Sequence, residues 1–159
     1  NQTGNKLKYS EAFKATEVDT VCEISYLDEE EKMIAYAHKF LGVPYVYGGT
    51  GDGGFDCSGY TQYILGRYGY PISRSARYQF TDAEPIKISE ARKGDLVFFS
   101  NSRSKNSITH VGIVISEKGE DLTMIHASSS QGIMVTNIST NSYWKPKLVG
   151  VGRPQKDEL

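Results

Sequence analysis

Gly48-Gly49-Thr50-Gly51-Asp52-Gly53-Gly54-Phe55-Asp56-Cys57-Ser58-Gly59-Tyr60 is the stretch from which the rest of the chain is read. A flexible glycine-rich loop runs into a cysteine. The residues that follow, through Gly69, carry Tyr60, Tyr63, Ile64 and Tyr68 at helical spacing. Gly69 suits the left-handed position after a helix C-terminus. Cys57 therefore enters the first turn of a helix, where unpaired backbone N–H groups and the macrodipole favour a thiolate. That is the position of a nucleophile.

A nucleophile needs a base, and the chain has three histidines, His38, His110 and His126. His110 opens the β-branched run His110-Val111-Gly112-Ile113-Val114-Ile115, which reads as a buried strand. His126 lies in a second strand pattern, Leu122 to Ser128, with Leu122 and Met124 on its face. Lys118-Gly119-Glu120-Asp121 reads as the hairpin turn that makes the two strands neighbours. The order Cys57, His110, His126 fits a thiol, an imidazole base and a third polar group that orients the base. His38 flanks the apolar stripe Met33, Ile34, Ala37, Phe40 and Leu41 of an earlier helix and is expected to be solvated. A lone cysteine or strand histidine is more often a packed structural residue than a catalyst, so the set carries the reading and no member does alone. Zinc ligation by Cys57, His110 and His126 would lack the close ligand pair usual in structural zinc sites. No metal or cofactor is called for.

At these residues the chain resembles the NlpC/p60 cell-wall cysteine peptidases. The resemblance rests on Gly42-Val43-Pro44-Tyr45-Val46-Tyr47-Gly48-Gly49 with Phe55-Asp56-Cys57-Ser58-Gly59, and on Ser73-Arg74-Ser75-Ala76-Arg77-Tyr78-Gln79. Lys93-Gly94-Asp95-Leu96, His110-Val111-Gly112-Ile113 and His126-Ala127-Ser128 continue it in the same order. It spans roughly residues 30 to 153 and is similar to the small single-domain murein endopeptidases, down to Tyr143-Trp144. Ser73 stands where the family often has proline. The resemblance implies an α+β, reduced papain-like fold, with a central antiparallel sheet packed against helices and the nucleophilic cysteine at a helix N-terminus. It implies hydrolysis of peptidoglycan stem peptides between γ-linked D-glutamate and the following diamino acid, through Cys57, His110 and His126. It also implies an oxyanion role for Tyr45 and an amine-binding role for Asp56 and Ser58. Asp56 is equally a favoured helix N-cap, and the two roles are compatible. Arg74 would meet either a stem-peptide carboxylate or a protein carboxylate. An acyltransferase on the same fold and a silent wall-binding domain are the alternatives.

At 159 residues the chain suits one core, and a net charge of -1 offers no footprint for nucleic acid. No run of residues is long and apolar enough for a transmembrane segment. Residues 1–27 read as a polar arm or linker, 28–154 as the catalytic domain and 155–159 as a tail. The expected state is a monomer outside the bacterial cytoplasm, in the periplasm, cell envelope or medium, with a signal segment absent from this chain. Cys22, in the arm, is taken as a free thiol, because pairing it with Cys57 would silence the nucleophile. Lys156-Asp157-Glu158-Leu159 matches a retention signal, here a coincidence of sequence.

Overall fold

The computed structural model describes residues 28–156. The arm, Cys22 and the last three residues lie outside them. Three α-helices come first among the described residues: α1 (Glu29–His38), α2 (Cys57–Arg67) and α3 (Ala76–Asp82). Six strands follow: β1 (Glu84–Ile86), β2 (Leu96–Phe99), β3 (His110–Val114), β4 (Thr123–Ser128), β5 (Gly132–Asn137) and β6 (Leu148–Arg153). They form one sheet in the order β1-β6-β2-β3-β4-β5, with every pairing antiparallel. This is the α+β architecture, with helices on one face of an antiparallel sheet.

Strand β2 is apolar at every position because both of its faces are covered. Leu96 and Phe98 join α1 and α2 in the larger core with Met33, Ile34, Tyr60, Ile64 and Ile113. Val97 and Phe99 point the other way, into a smaller cluster with Leu122, Met124, Ile138 and Val151. Strand β1 lies in the polar stretch between α3 and β2. It is three residues long, contains Pro85 and forms the sheet edge, where a missing N–H is tolerated and the sequence signal is weakest.

The helix boundaries are set by identifiable chemistry. Asp28 caps α1 by accepting from Glu31 N at 2.7 Å, and Ser75 caps α3. At the end of α2, Gly69 takes φ +88°. Tyr70 N then donates to Leu65 O and Gly69 N to Gly66 O, the paired bonds of a Schellman end. His38 departs from its expected solvated position: it is buried at the end of α1, with Nδ1 2.8 Å from Ile34 O. The stripe that packs α1 on the core is wide enough to take in its flank.

The loop before Cys57 is tied to itself rather than loose. Phe55 N donates to Pro44 O, Val46 N to Phe55 O, Gly51 N to Gly54 O and Asp56 N to Gly49 O. Helix α2 then presses on that loop at Gly59, where an added Cβ would run into the Gly49 carbonyl oxygen and Asp56 Oδ1. Gly59→Ala should therefore destabilise the protein by about 3 kcal/mol, as overpacking against backbone does. Urea unfolding checks it: a midpoint within error of wild type would mean that the contact relaxes freely.

Candidate active site

Asp56 sets the start of α2. Its Oδ1 accepts from Gly59 N at 2.6 Å, the N-cap bond that leaves the N–H groups of Cys57 and Ser58 pointing out of the helix start. Arg74 closes on the same carboxylate, with Nη2 2.8 Å from Oδ2 and Nη1 3.1 Å from Oδ1, and Nη1 also reaches Ser58 Oγ at 2.9 Å. Asp56, Ser58 and Arg74 are one cluster, in which Asp56 caps the helix and Arg74 is ion-paired. Gln79, fully buried, fixes it from below: Nε2 donates to Ser58 O and Ser73 O, and Oε1 accepts from Thr61 Oγ1. Because α3 begins at Ala76, Arg74 lies outside the helix and is free to reach Asp56.

Cys57 lines a cleft of about 540 Å³ together with Tyr45, His110, Ser128–Gln131 and Trp144. Burial pushes the thiol above its ordinary value, and the Asp56 charge adds to that. Backbone N–H groups of Val111, Ser58 and Cys57 itself work in the opposite direction and do not overcome it. The helix start thus has the thiolate-favouring effect expected of it, but burial outweighs it. Val111 follows His110 directly, so the sulfur lies against the start of β3. Burial also pushes the Tyr45 phenol up, with Cys57 and Asp56 adding to it, so its hydroxyl stays protonated.

His110 is the first residue of β3, with Nε2 2.8 Å from His126 Nδ1. His126 is fully buried on β4, and its Nε2 lies 2.9 Å from Thr136 Oγ1 on β5. The pairing of Ile113 with Ile125, and of His126 with Met134, brings the three side chains into line across three strands. Trp144 lies flat on the far side of His110, with ring centroids 4.4 Å apart and planes at 26°. Asn141 Oδ1 fixes that residue by accepting from the Tyr143 and Trp144 N–H groups. His126 is shut away from water, whereas His110 is half-buried and keeps an edge on the cleft. Burial first and then neighbouring His126 hold His110 down to about 3, and burial holds His126 down to about 4.

Of the residues singled out in the sequence, Tyr45, Cys57 and His110 line the cleft, and His126 stands directly behind His110. Asp56, Ser58 and Arg74 stand beside the Cys57 end of α2, and His38 is apart on α1. Sequence reasoning missed Thr136 and the place of Trp144. Thr136 pairs with Met124, one diagonal step from His126 on the same face, but seeing that requires the length of the β4–β5 turn. Tyr143-Trp144 follows a polar stretch with no strand or helix period to orient it.

Comparison with known proteins follows the same lines. The model of the NlpC/P60 family matches residues 42–153. A gamma-DL-glutamyl hydrolase of Bacillus subtilis is 37% identical over 123 residues, 76% of this chain and 28% of that protein. A probable endopeptidase p60 of Listeria monocytogenes is 40% identical over 121 residues, 76% of this chain and 23% of that protein. The crystal structure of an NlpC/P60 family protein from Bacillus cereus superposes with a TM-score of 0.69 at 30% identity, covering 78% of this chain and 39% of that one. The chain thus spans about a quarter of the length of these two curated relatives.

The two neutral histidines tie stability to pH. Unfolded, each takes up a proton near pH 6.5; folded, each resists until about pH 3 to 4. The unfolded chain therefore binds more protons through that window, and stability falls as pH drops below 6.5. The loss approaches about 1.4 kcal/mol per pH unit for each histidine. Urea midpoints between pH 7 and pH 4.5 should fall more steeply for the wild type than for a His110→Gln/His126→Gln variant. Parallel slopes would mean that the histidines are not buried neutral.

Proposed function

The chain belongs to the NlpC/P60 family, and on that footing we propose that it is a cysteine peptidase acting on the stem peptides of peptidoglycan. The bond is the one joining γ-linked D-glutamate to the diamino acid that follows. The observation that carries this reading is the line of hydrogen bonds from His110 through His126 to Thr136, beginning in the same cleft as Cys57. A wall-binding domain has no use for such a line, and a thiol enzyme does.

The proton path follows from which nitrogens are occupied. His110 Nε2 is spent on His126, so Nδ1 is the nitrogen left to take the thiol proton. For Nδ1 to accept, Nε2 must carry hydrogen and donate to His126 Nδ1. His126 then carries its proton on Nε2 and donates it to Thr136 Oγ1. One tautomer thus fixes the next, and Thr136 ends the chain.

Sγ attacks the scissile carbonyl as its proton passes to His110 Nδ1. The oxyanion is met by the outward N–H at the start of α2 and by the Tyr45 hydroxyl. His110 returns the proton to the leaving amine as the C–N bond breaks, leaving a thioester. Water, deprotonated by His110, hydrolyses the thioester and frees the thiol. Because Asp56 and Arg74 neutralise each other, what remains for a substrate amine is the outer edge of Asp56 Oδ2 and the Ser58 hydroxyl. Peptidoglycan lies outside the cytoplasmic membrane, so the domain works there; no helix among the described residues is long and apolar enough to cross a membrane.

Incubation with purified peptidoglycan should release new amines, and mass spectrometry of the muropeptides should show cleavage after D-glutamate. Cys57→Ala should lose essentially all of that activity, and Thr136→Val should lower kcat by roughly ten-fold with KM little changed. Intact muropeptides after wild-type digestion would overturn the reading.

A further inference from the structure

The strands that build the His110 side of the cleft are free of acid: no Asp or Glu occurs from Leu96 to Ser116 or from Leu122 to Lys156. Four cations of these segments lie on the loop between β2 and β3 and on the turn before β6. Arg103 and Lys105 are on the loop, and Lys145 and Lys147 are on the turn. Lys105 Nζ donates to Leu148 O, which holds the loop against that turn. Lys147 Nζ lies 4.0 Å from the centre of the Tyr143 ring. Tyr143 and Asn101, the first residue of the loop, both line the Cys57 cleft. None of the ion pairs among the described residues involves any of the four cations. Elsewhere Arg74 is paired with Asp56, Arg153 with Asp95, and Lys93 with Glu31 and Glu117.

The chemistry of hydrolysis says what passes by this corner. The group that protonates the leaving amine must stand on the leaving side of the scissile bond. His110 is that group in the proposed mechanism, and Trp144 and Tyr143 extend the wall beyond it. The leaving fragment is the C-terminal part of the peptide, so a free carboxylate travels with it. We infer that Arg103, Lys105 and Lys147 form a carboxylate-binding rim that holds the free C-terminus of the leaving peptide, with Tyr143 as its floor. This rests on the peptidase reading above. The rim sets a preference for stem peptides that end in a free acid over those whose C-terminus is amidated or cross-linked into a further peptide.

The test uses two synthetic peptides, L-Ala-γ-D-Glu-L-Lys-D-Ala as the free acid and as its C-terminal amide. Exposed cations contribute weakly, so together the three should give the acid a KM lower by roughly three- to ten-fold. That advantage should shrink as salt is raised. In an Arg103→Gln/Lys105→Gln/Lys147→Gln variant the two KM values should converge, while Lys118→Gln, paired with Glu90 outside the cleft, should keep the wild-type ratio. Binding of both peptides to Cys57→Ala by calorimetry separates this inference from the peptidase reading. If neither peptide is cleaved yet the acid binds more tightly than the amide, the rim stands and the peptidase reading fails. Equal KM values for acid and amide in the wild type, with equal binding to Cys57→Ala, would overturn the rim whether or not cleavage occurs. So would tight binding of poly(glycerol phosphate) without discrimination between the peptides, since the cations would then serve a phosphate polymer.

Discussion

The 2.8 Å hydrogen bond between His110 Nε2 and His126 Nδ1 is the interaction on which the site depends. It exists because β3 and β4 pair in one register, and a slip of one residue would turn His126 to the opposite face. That register is fixed from both faces. Ile113 and Ile125 look into the larger core beneath the helices, and Val114 and Met124 into the smaller one. Thr136 on β5 and Trp144 beyond it then have single places to occupy. The sheet is thus a device for aligning two rings and a hydroxyl, and α2 brings the sulfur to its open end.

Two effects compete at that sulfur, and their balance shapes the proposed chemistry. The N–H groups at the start of α2 and from Val111 favour a thiolate, whereas burial and the Asp56 charge favour the thiol. The same burial strips His110 and His126 of their affinity for a proton. Sulfur and imidazole are therefore both uncharged where they line the cleft. Charge separation is then coupled to attack on the carbonyl, when the oxyanion appears at the helix start and gives the N–H groups a full charge to meet.

Much of this was legible in the sequence because it lies in short-range patterns. The Asp56-Cys57-Ser58-Gly59 run announced a capped helix with cysteine in its first turn, and the two histidine strands were marked by their β-branched runs and the turn at Gly119. What escaped notice depends on longer-range geometry. Arg74 could not be assigned to Asp56 without knowing that Ser75 caps α3 and leaves Arg74 free. Thr136 required the register of β4 on β5. His38 is buried rather than solvated; helical periodicity gives the direction of a side chain but not how far the neighbouring elements wrap around it. The excess of burial over helix-end stabilisation at Cys57 is a property of the closed cleft, and no local motif encodes it.

The central claim is that Cys57 is served by a neutral His110 whose tautomer is set by His126 and Thr136. Nitrogen-15 NMR of the imidazole rings, followed from pH 8 down to pH 5, reads charge and tautomer together. The account predicts two neutral rings across that range, both protonated on Nε2, with His110 Nδ1 and His126 Nδ1 bare. An imidazolium signal from His110 near pH 7, or a His126 ring protonated on Nδ1, would contradict it.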